Sequence, residues 1–220
     1  MEESQIRRGD YIRKVFSVLT VQLLAILSVL CLLLLCEPLK EFVKTNLWIS
    51  LNSYLIFILV SAVLLFCLSC RRAVPRGTPG MRVMTLCMSC IVSTVAAFHS
   101  VPAVAVALGC TLAISSAVFV CTTQTFLGSC SSSSWGGALL LLLLVSVVLG
   151  FISGVWYSST LGFVFSSLGT LLFSMCLAED SQAVLSTEPT DTSLEEHSFA
   201  ALVLSLDISM IFIYLLLLSD

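Results

Sequence analysis

The chain has 220 residues, 58% of them hydrophobic and 10% charged. An ordinary soluble domain carries about 25% charged residues, so that class is excluded. The formal net charge of -3 comes with no basic patch for nucleic acid, and in so apolar a chain the placement of Lys and Arg, not their sum, sets orientation.

In chain order, residues 1–15 read as a cytosolic N-terminal segment and residues 16–218 as a membrane domain. Arg7, Arg8, Arg13 and Lys14 precede the first apolar run, Phe16 to Cys36. That run is too long for the core of a secretory signal and no small-x-small cleavage site follows, so it reads as a retained span. Six further runs follow, each near the ~20 residues needed to cross a hydrocarbon core of ~30 Å. They are Leu47 to Cys70, Val83 to Phe98, Pro102 to Thr122, Trp135 to Trp156, Leu161 to Ala178 and Ser198 to Leu218, the second of these six being the shortest.

The loop after the first span carries Glu37, Lys40, Glu41 and Lys44 and is neutral overall. Between the second and third spans, Arg71, Arg72, Arg76 and Arg82 stand among Pro75, Gly77, Pro79 and Gly80, a basic turn-rich loop. Two crossings bring that loop to the side of the basic N-terminus, and the positive-inside tendency makes the side cytosolic, with Asp220 lumenal or external. The Ser-rich stretch Gln124 to Ser134 and the acidic stretch Glu179 to His197 are placed on the cytosolic side by the same count. Ser193 with Glu196 three residues on is a capping-box pattern that starts the last helix just outside the membrane.

Several side chains invite a chemical role. Cys67-x-x-Cys70 and Cys87-x-x-Cys90 have zinc-ribbon spacing, yet three of these thiols project from apolar helices that offer no shared polar pocket, so no structural zinc is expected. Nearly all ten cysteines lie inside apolar runs, where reduced Cys packs as a small hydrophobe. Cys70, beside Arg71 at the boundary, is alternatively a palmitoylation site. Gly109, Gly150, Gly154, Gly162 and Gly169 in spans four to six provide the small-residue chemistry of close helix contact in lipid. His99 and His197 stand at span ends, where a solvated imidazole is the simplest expectation and titration near neutral pH is open to either.

Asp207 is the anomaly. It lies near the middle of SFAALVLSLDISMIFIYLLLL, roughly 14 Å in from Ser198 at 1.5 Å per residue. An aspartate at that depth costs about 2.5–3.5 kcal/mol on insertion scales and usually faces a bundle interior or wet cavity, marking an ion or proton path. A polar knot satisfied by neighbouring serines is its structural alternative. Asp180, at the end of LLFSMCLAEDSQ, reads by itself as a solvated helix end. Straight helices would then hold the two acids roughly 10 Å apart along the membrane normal, a gap for tilt or a cytosolic cavity to close.

Three stretches resemble the Bax inhibitor-1 superfamily, specifically its lifeguard branch: IRRGDYIRKVFSVLTVQLL at Ile6 to Leu24, GTLLFSMCLAEDSQ at Gly169 to Gln182, and SLEEHSFAALVLSLDISMIFIYLL at Ser193 to Leu216. Spans two to five resemble it by hydropathy and position. The chain departs from the usual pattern at Glu179, at Asp180-Ser181-Gln182 where relatives have D-T-Q, after Gln124-Thr125, and at Val203, Ser205 and Met210, which thins the polar support around Asp207. The resemblance implies an all-α integral membrane protein, a seven-transmembrane-helix bundle with a central last helix, and an acidic pair at the positions of Asp180 and Asp207. It further implies a pH-sensitive calcium leak across endoplasmic reticulum or Golgi membranes and suppression of cell death.

On this basis Asp207 and Asp180 are the ion-path and pH-sensing candidates, with Glu179, Glu196 and His197 auxiliary. Calcium is the transported ion, held transiently at Asp180 and Asp207, and no cofactor is expected. The partners expected are the lipid bilayer, calcium ions and apoptosis-regulating membrane proteins. A non-conducting regulator acting through protein partners in cell-death signalling is the alternative. An intramembrane aspartyl protease is disfavoured, because the Gly-x-Gly-Asp signature is missing before both aspartates, and no enzyme activity is expected.

Overall fold

The computed structural model describes residues 2–46, 48, 52, 55, 78–127, 159–186 and 194–218. The second and fifth expected spans, Leu47 to Cys70 and Trp135 to Trp156, lie outside the described residues except for the helical Trp48, Asn52 and Leu55. The elements are α1 (Glu2–Leu35), α2 (Glu37–Thr45), α3 (Thr78–Ala97), α4 (Val101–Leu127), α5 (Ser159–Ser186) and α6 (Leu194–Leu218), and all are α-helices. Within them Gly9–Leu35, Val101–Thr123, Gly162–Ser186 and His197–Leu218 are long and apolar enough to cross a membrane, and Arg82–Ala97 is a shorter apolar helix. The described residues are thus all-α, with the long apolar helices of a membrane protein. Residues 1–100 with 188–205 form one compact unit and residues 101–187 with 206–220 a second.

In the first unit α1 packs along α3. Tyr11, Val15, Leu19, Ile26, Leu30 and Leu33 are buried, and their spacing of three, four or seven residues places them on one helix face. The 34 residues of α1 extend for about 51 Å, well beyond a ~30 Å hydrocarbon core, with Arg13 and Lys14 exposed. After Leu35, Cys36 is extended (φ -99, ψ 92) and Pro38 sits in the first turn of α2, where its missing N–H and fixed φ suit a helix start. α3 ends at Ala97, a residue short of the expected limit. In its last turn the Nδ1–H of His99 donates to the Val95 carbonyl at 2.9 Å. His99 is 7% exposed, so the expected solvated imidazole is instead buried, its ring adding a second donor to a carbonyl that also accepts the Phe98 N–H at 3.2 Å.

In the second unit α4 packs on α5. Its buried face is Val104, Ala107, Thr111, Ser115 and Thr122, a stripe of small side chains suited to close approach in lipid. Hydroxyls along these helices fold back onto the backbone, Thr111 onto Ala107 at 2.7 Å and Thr170 onto Ser166 at 2.9 Å. These two hydroxyls are thereby satisfied inside their own helices, as an apolar surround demands. The glycines divide. A Cβ at Gly109 or Gly162 would meet nothing within 4 Å, whereas one at Gly169 would lie 2.5 Å from the ring of Tyr214. Gly169 is therefore the close-contact glycine, the stripe on α4 needs none, and Gly150 and Gly154 lie outside the described residues.

α5 runs to Ser186, eight residues past the expected end at Ala178, or about 12 Å further along the axis. Ala178 to Leu185 contains no glycine or proline, and Ser181 bonds its hydroxyl to the Leu177 carbonyl at 2.5 Å. The acidic and polar residues from Glu179 on end the apolar run without ending the helix, since nothing in them breaks one. α6 begins at Leu194, immediately after the serine of the capping pattern. Its apolar window is 61% buried, against 22–28% for those of α1, α4 and α5, as befits a helix with apolar residues on every side.

Candidate functional site

The helical face that begins at Gly169 on α5 continues through Phe173 and Cys176 to Asp180, since offsets of four, seven and eleven residues return to nearly the same direction. On α6 the corresponding face carries Asp207, Ile211 and Tyr214. These two faces meet within the second unit. Tyr214 packs on Gly169 between Phe165, edge-on at 5.3 Å, and Phe173, stacked at 5.6 Å.

Further along, the carboxyl groups of Asp180 and Asp207 come within hydrogen-bonding reach of each other. An ionised carboxylate only accepts, so a hydrogen bond between the two requires a proton on one of them. Asp207 is 4% exposed and Asp180 half-buried. α5 continues six residues past Asp180, to Ser186, so Asp180 lies inside the helix and not at its end. Among the described residues, Oδ2 of Asp207 has no hydrogen-bond partner. The Ser205 hydroxyl donates to the Leu202 carbonyl at 2.8 Å.

Glu179 is half-buried beside Asp180. Glu196 lies in the first turn of α6, and its side chain is outside the described residues. His197 is 6% exposed and belongs to the first unit, its ring 4.4 Å from that of Tyr11 at 45°. The expected solvated position at the helix end is thus corrected: an aromatic partner on α1 covers the imidazole. Two contributors to the acid-pair seam were not singled out by sequence for this role. Cys176, one turn before Asp180, lies in the electrostatic field of Asp207, Asp180 and Glu179; the Cys-x-x-x-Asp spacing carries that signal. Tyr214 stands two turns after Asp207 and shares its face. Of the cysteine pairs, Cys87 is buried and Cys90 half-buried on α3, and Cys67 and Cys70 lie outside the described residues. Among the described residues no group of three or more His, Cys, Asp or Glu side chains is placed to hold a metal ion.

A family profile described as "Inhibitor of apoptosis-promoting Bax1" matches residues 8–219. Protein lifeguard 3 of Homo sapiens is 29% identical over 210 residues, covering 95% of this chain and 68% of its own length. Protein lifeguard 3 of Mus musculus is 27% identical over 213 residues with the same two coverages, 95% and 68%. Protein lifeguard 4 of Mus musculus is 29% identical over 218 residues, covering 95% of this chain and 84% of its own length.

Proposed function

The chain belongs to the Bax inhibitor-1 family, and on that premise we propose that it is a pH-sensitive calcium-leak protein with a survival role. It crosses the membrane seven times, its N-terminus in the cytosol, in the endoplasmic reticulum or Golgi. The observation that carries the proposal is the meeting of two carboxyl groups on adjacent membrane helices, one of them 4% exposed.

The mechanism follows from the proton that such a contact needs. With the proton in place, Asp180 and Asp207 bond and hold α5 against α6. Raising the pH removes it and leaves two carboxylates that repel, by about 4 kcal/mol for unit charges 4 Å apart at an effective dielectric constant of 20. The helices loosen, and the freed oxygens are hard ligands suited to calcium in transit. Glu179 adds a carboxylate beside Asp180, Glu196 and His197 are auxiliary, and apoptosis-regulating membrane proteins are the partners in survival signalling. Ser115 Oγ and Asp207 Oδ2, buried without hydrogen-bond partners among the described residues, supply polar lining to the second unit.

The test is calcium flux from proteoliposomes containing the purified chain at two pH values. Wild type leaks faster at the higher pH. In Asp207→Asn an amide replaces the carboxyl, still donates to Asp180 and leaves no proton to lose, so flux loses its pH dependence; Asp180→Asn acts in the same sense. Unchanged flux and pH response in both variants overturns the channel and leaves the non-conducting regulator.

A further inference from the structure

α2 is a nine-residue helix with no buried residue, although helices shorter than ~12–15 residues are marginal in water. Its side chains divide cleanly. At 100° per residue, Leu39, Phe42 and Val43 fall within an arc of about 100°, and Glu37, Lys40, Glu41 and Lys44 within an opposite arc of about 100°. On the apolar arc Leu39 is 42% and Phe42 54% exposed and Val43 is half-buried, and on the charged arc Glu37, Glu41 and Lys44 are exposed and Lys40 is half-buried. On the charged arc the Lys44 ammonium lies 5.8 Å from the centre of the ring of Phe98, the residue that follows α3. Exposed leucine and phenylalanine on so short a helix call for a cover beyond the contacts of the described residues.

The position of α2 says what that is. Only Cys36 separates it from Leu35, the last residue of the first candidate membrane span, so α2 lies where that span leaves the hydrocarbon. Leu32 and Leu35 just before it are 57% and 83% exposed, and Trp48 just after it is 75% exposed; exposed tryptophan at this level is the usual interfacial anchor. We propose that α2 is an in-plane interfacial helix whose Leu39–Phe42–Val43 face docks into the headgroup and upper acyl region of the bilayer, continuing the lipid-facing surface of α1. Two lysines and two glutamates balance its charge, so apolar burial drives the docking. The lipid recognised is then a zwitterionic one such as phosphatidylcholine, with no requirement for anionic headgroups and little response to salt.

Tryptophan scanning in the full-length protein tests this. Trp48, Trp135 and Trp156 are replaced by Phe, and a single Trp is returned as Phe42→Trp, Leu39→Trp or Glu41→Trp in phosphatidylcholine vesicles containing acyl-brominated lipid. Emission at positions 42 and 39 is lost to shallow bromines and resists aqueous acrylamide, while position 41 shows the reverse. Neither result shifts when salt or phosphatidylserine is added. The native Trp48, left as the sole tryptophan in Trp135→Phe/Trp156→Phe, is also quenched by shallow bromines, which gives a readout with α2 unaltered. Equal quenching at 41 and 42, or open access of acrylamide to 42, overturns the proposal. So does a position 42 protected from both quenchers, which would assign the face to a second copy of the chain or another protein.

Discussion

Replacing Gly169 by Ala tests the packing that brings the acid-bearing helices together. The added methyl would sit 2.5 Å from Cδ1 and Cε1 of Tyr214 and 2.8 Å from Cγ. Carbon atoms settle at about 3.5–4.0 Å, so the ring and the α5 backbone must separate by about 1 Å. The ring has little room to swing, since Phe165 and Phe173 flank it at 5.3 and 5.6 Å and Tyr214 is 8% exposed. Overpacking of this kind costs about 1–3 kcal/mol. Thermal unfolding of the purified protein in detergent should therefore show Gly169→Ala clearly destabilised. In a Tyr214→Leu background the same change should be nearly neutral, giving a coupling of about 1–3 kcal/mol. An equal loss with and without the ring, or no loss at all, would refute the wedge.

Three further outcomes are expected. His99→Ala removes the side-chain bond to the Val95 carbonyl and should lower stability by about 1 kcal/mol, read by the same thermal assay. A double-mutant cycle of Tyr11→Leu with His197→Leu should return a coupling of about 0.5–1.5 kcal/mol, the usual worth of an aromatic pair beyond its area; additivity would show that the rings merely adjoin. In sealed microsomes, protease added outside should remove an N-terminal tag and spare a C-terminal one. Cleavage of both would require an even number of crossings.

Hydropathy made the apolar runs legible, and a cap pattern made the start of α6 legible at Ser193 and Glu196. Asp207 stood out because a single acid in an otherwise apolar run is costly wherever the run packs. The far end of α5 was not legible, because Glu179 and Asp180 look like a membrane exit on any hydropathy scale while remaining adequate helix formers. Gly169 and Gly109 are indistinguishable by local composition; only the position of Tyr214 separates a close contact from open space. The burial of His197 was hidden for a related reason. Its cover is Tyr11 on α1, remote in sequence, and no periodicity within α6 reports a partner on another helix.

Whether Asp207 is kept for stability or for function can be argued from its surroundings. Its insertion costs about 2.5–3.5 kcal/mol, and one hydrogen bond involving a charged group returns about 1.5–3 kcal/mol. Oδ2 has no hydrogen-bond partner among the described residues, so within the described structure the contact with Asp180 offsets the cost at best. Asparagine at 207 keeps the shape and a donor toward Asp180 while carrying no charge. Asp207→Asn should therefore unfold in detergent at or above the wild-type temperature, even as its calcium flux loses the response to pH. A polar knot holding α5 to α6 predicts otherwise for a variant that leaves Asp180 without its partner, a loss of about 1–3 kcal/mol. Asp207→Leu, which removes the contact altogether, extends the comparison, since loss of thermal stability in both variants would make Asp207 a structural clasp and retire its role as the proton-sensitive residue.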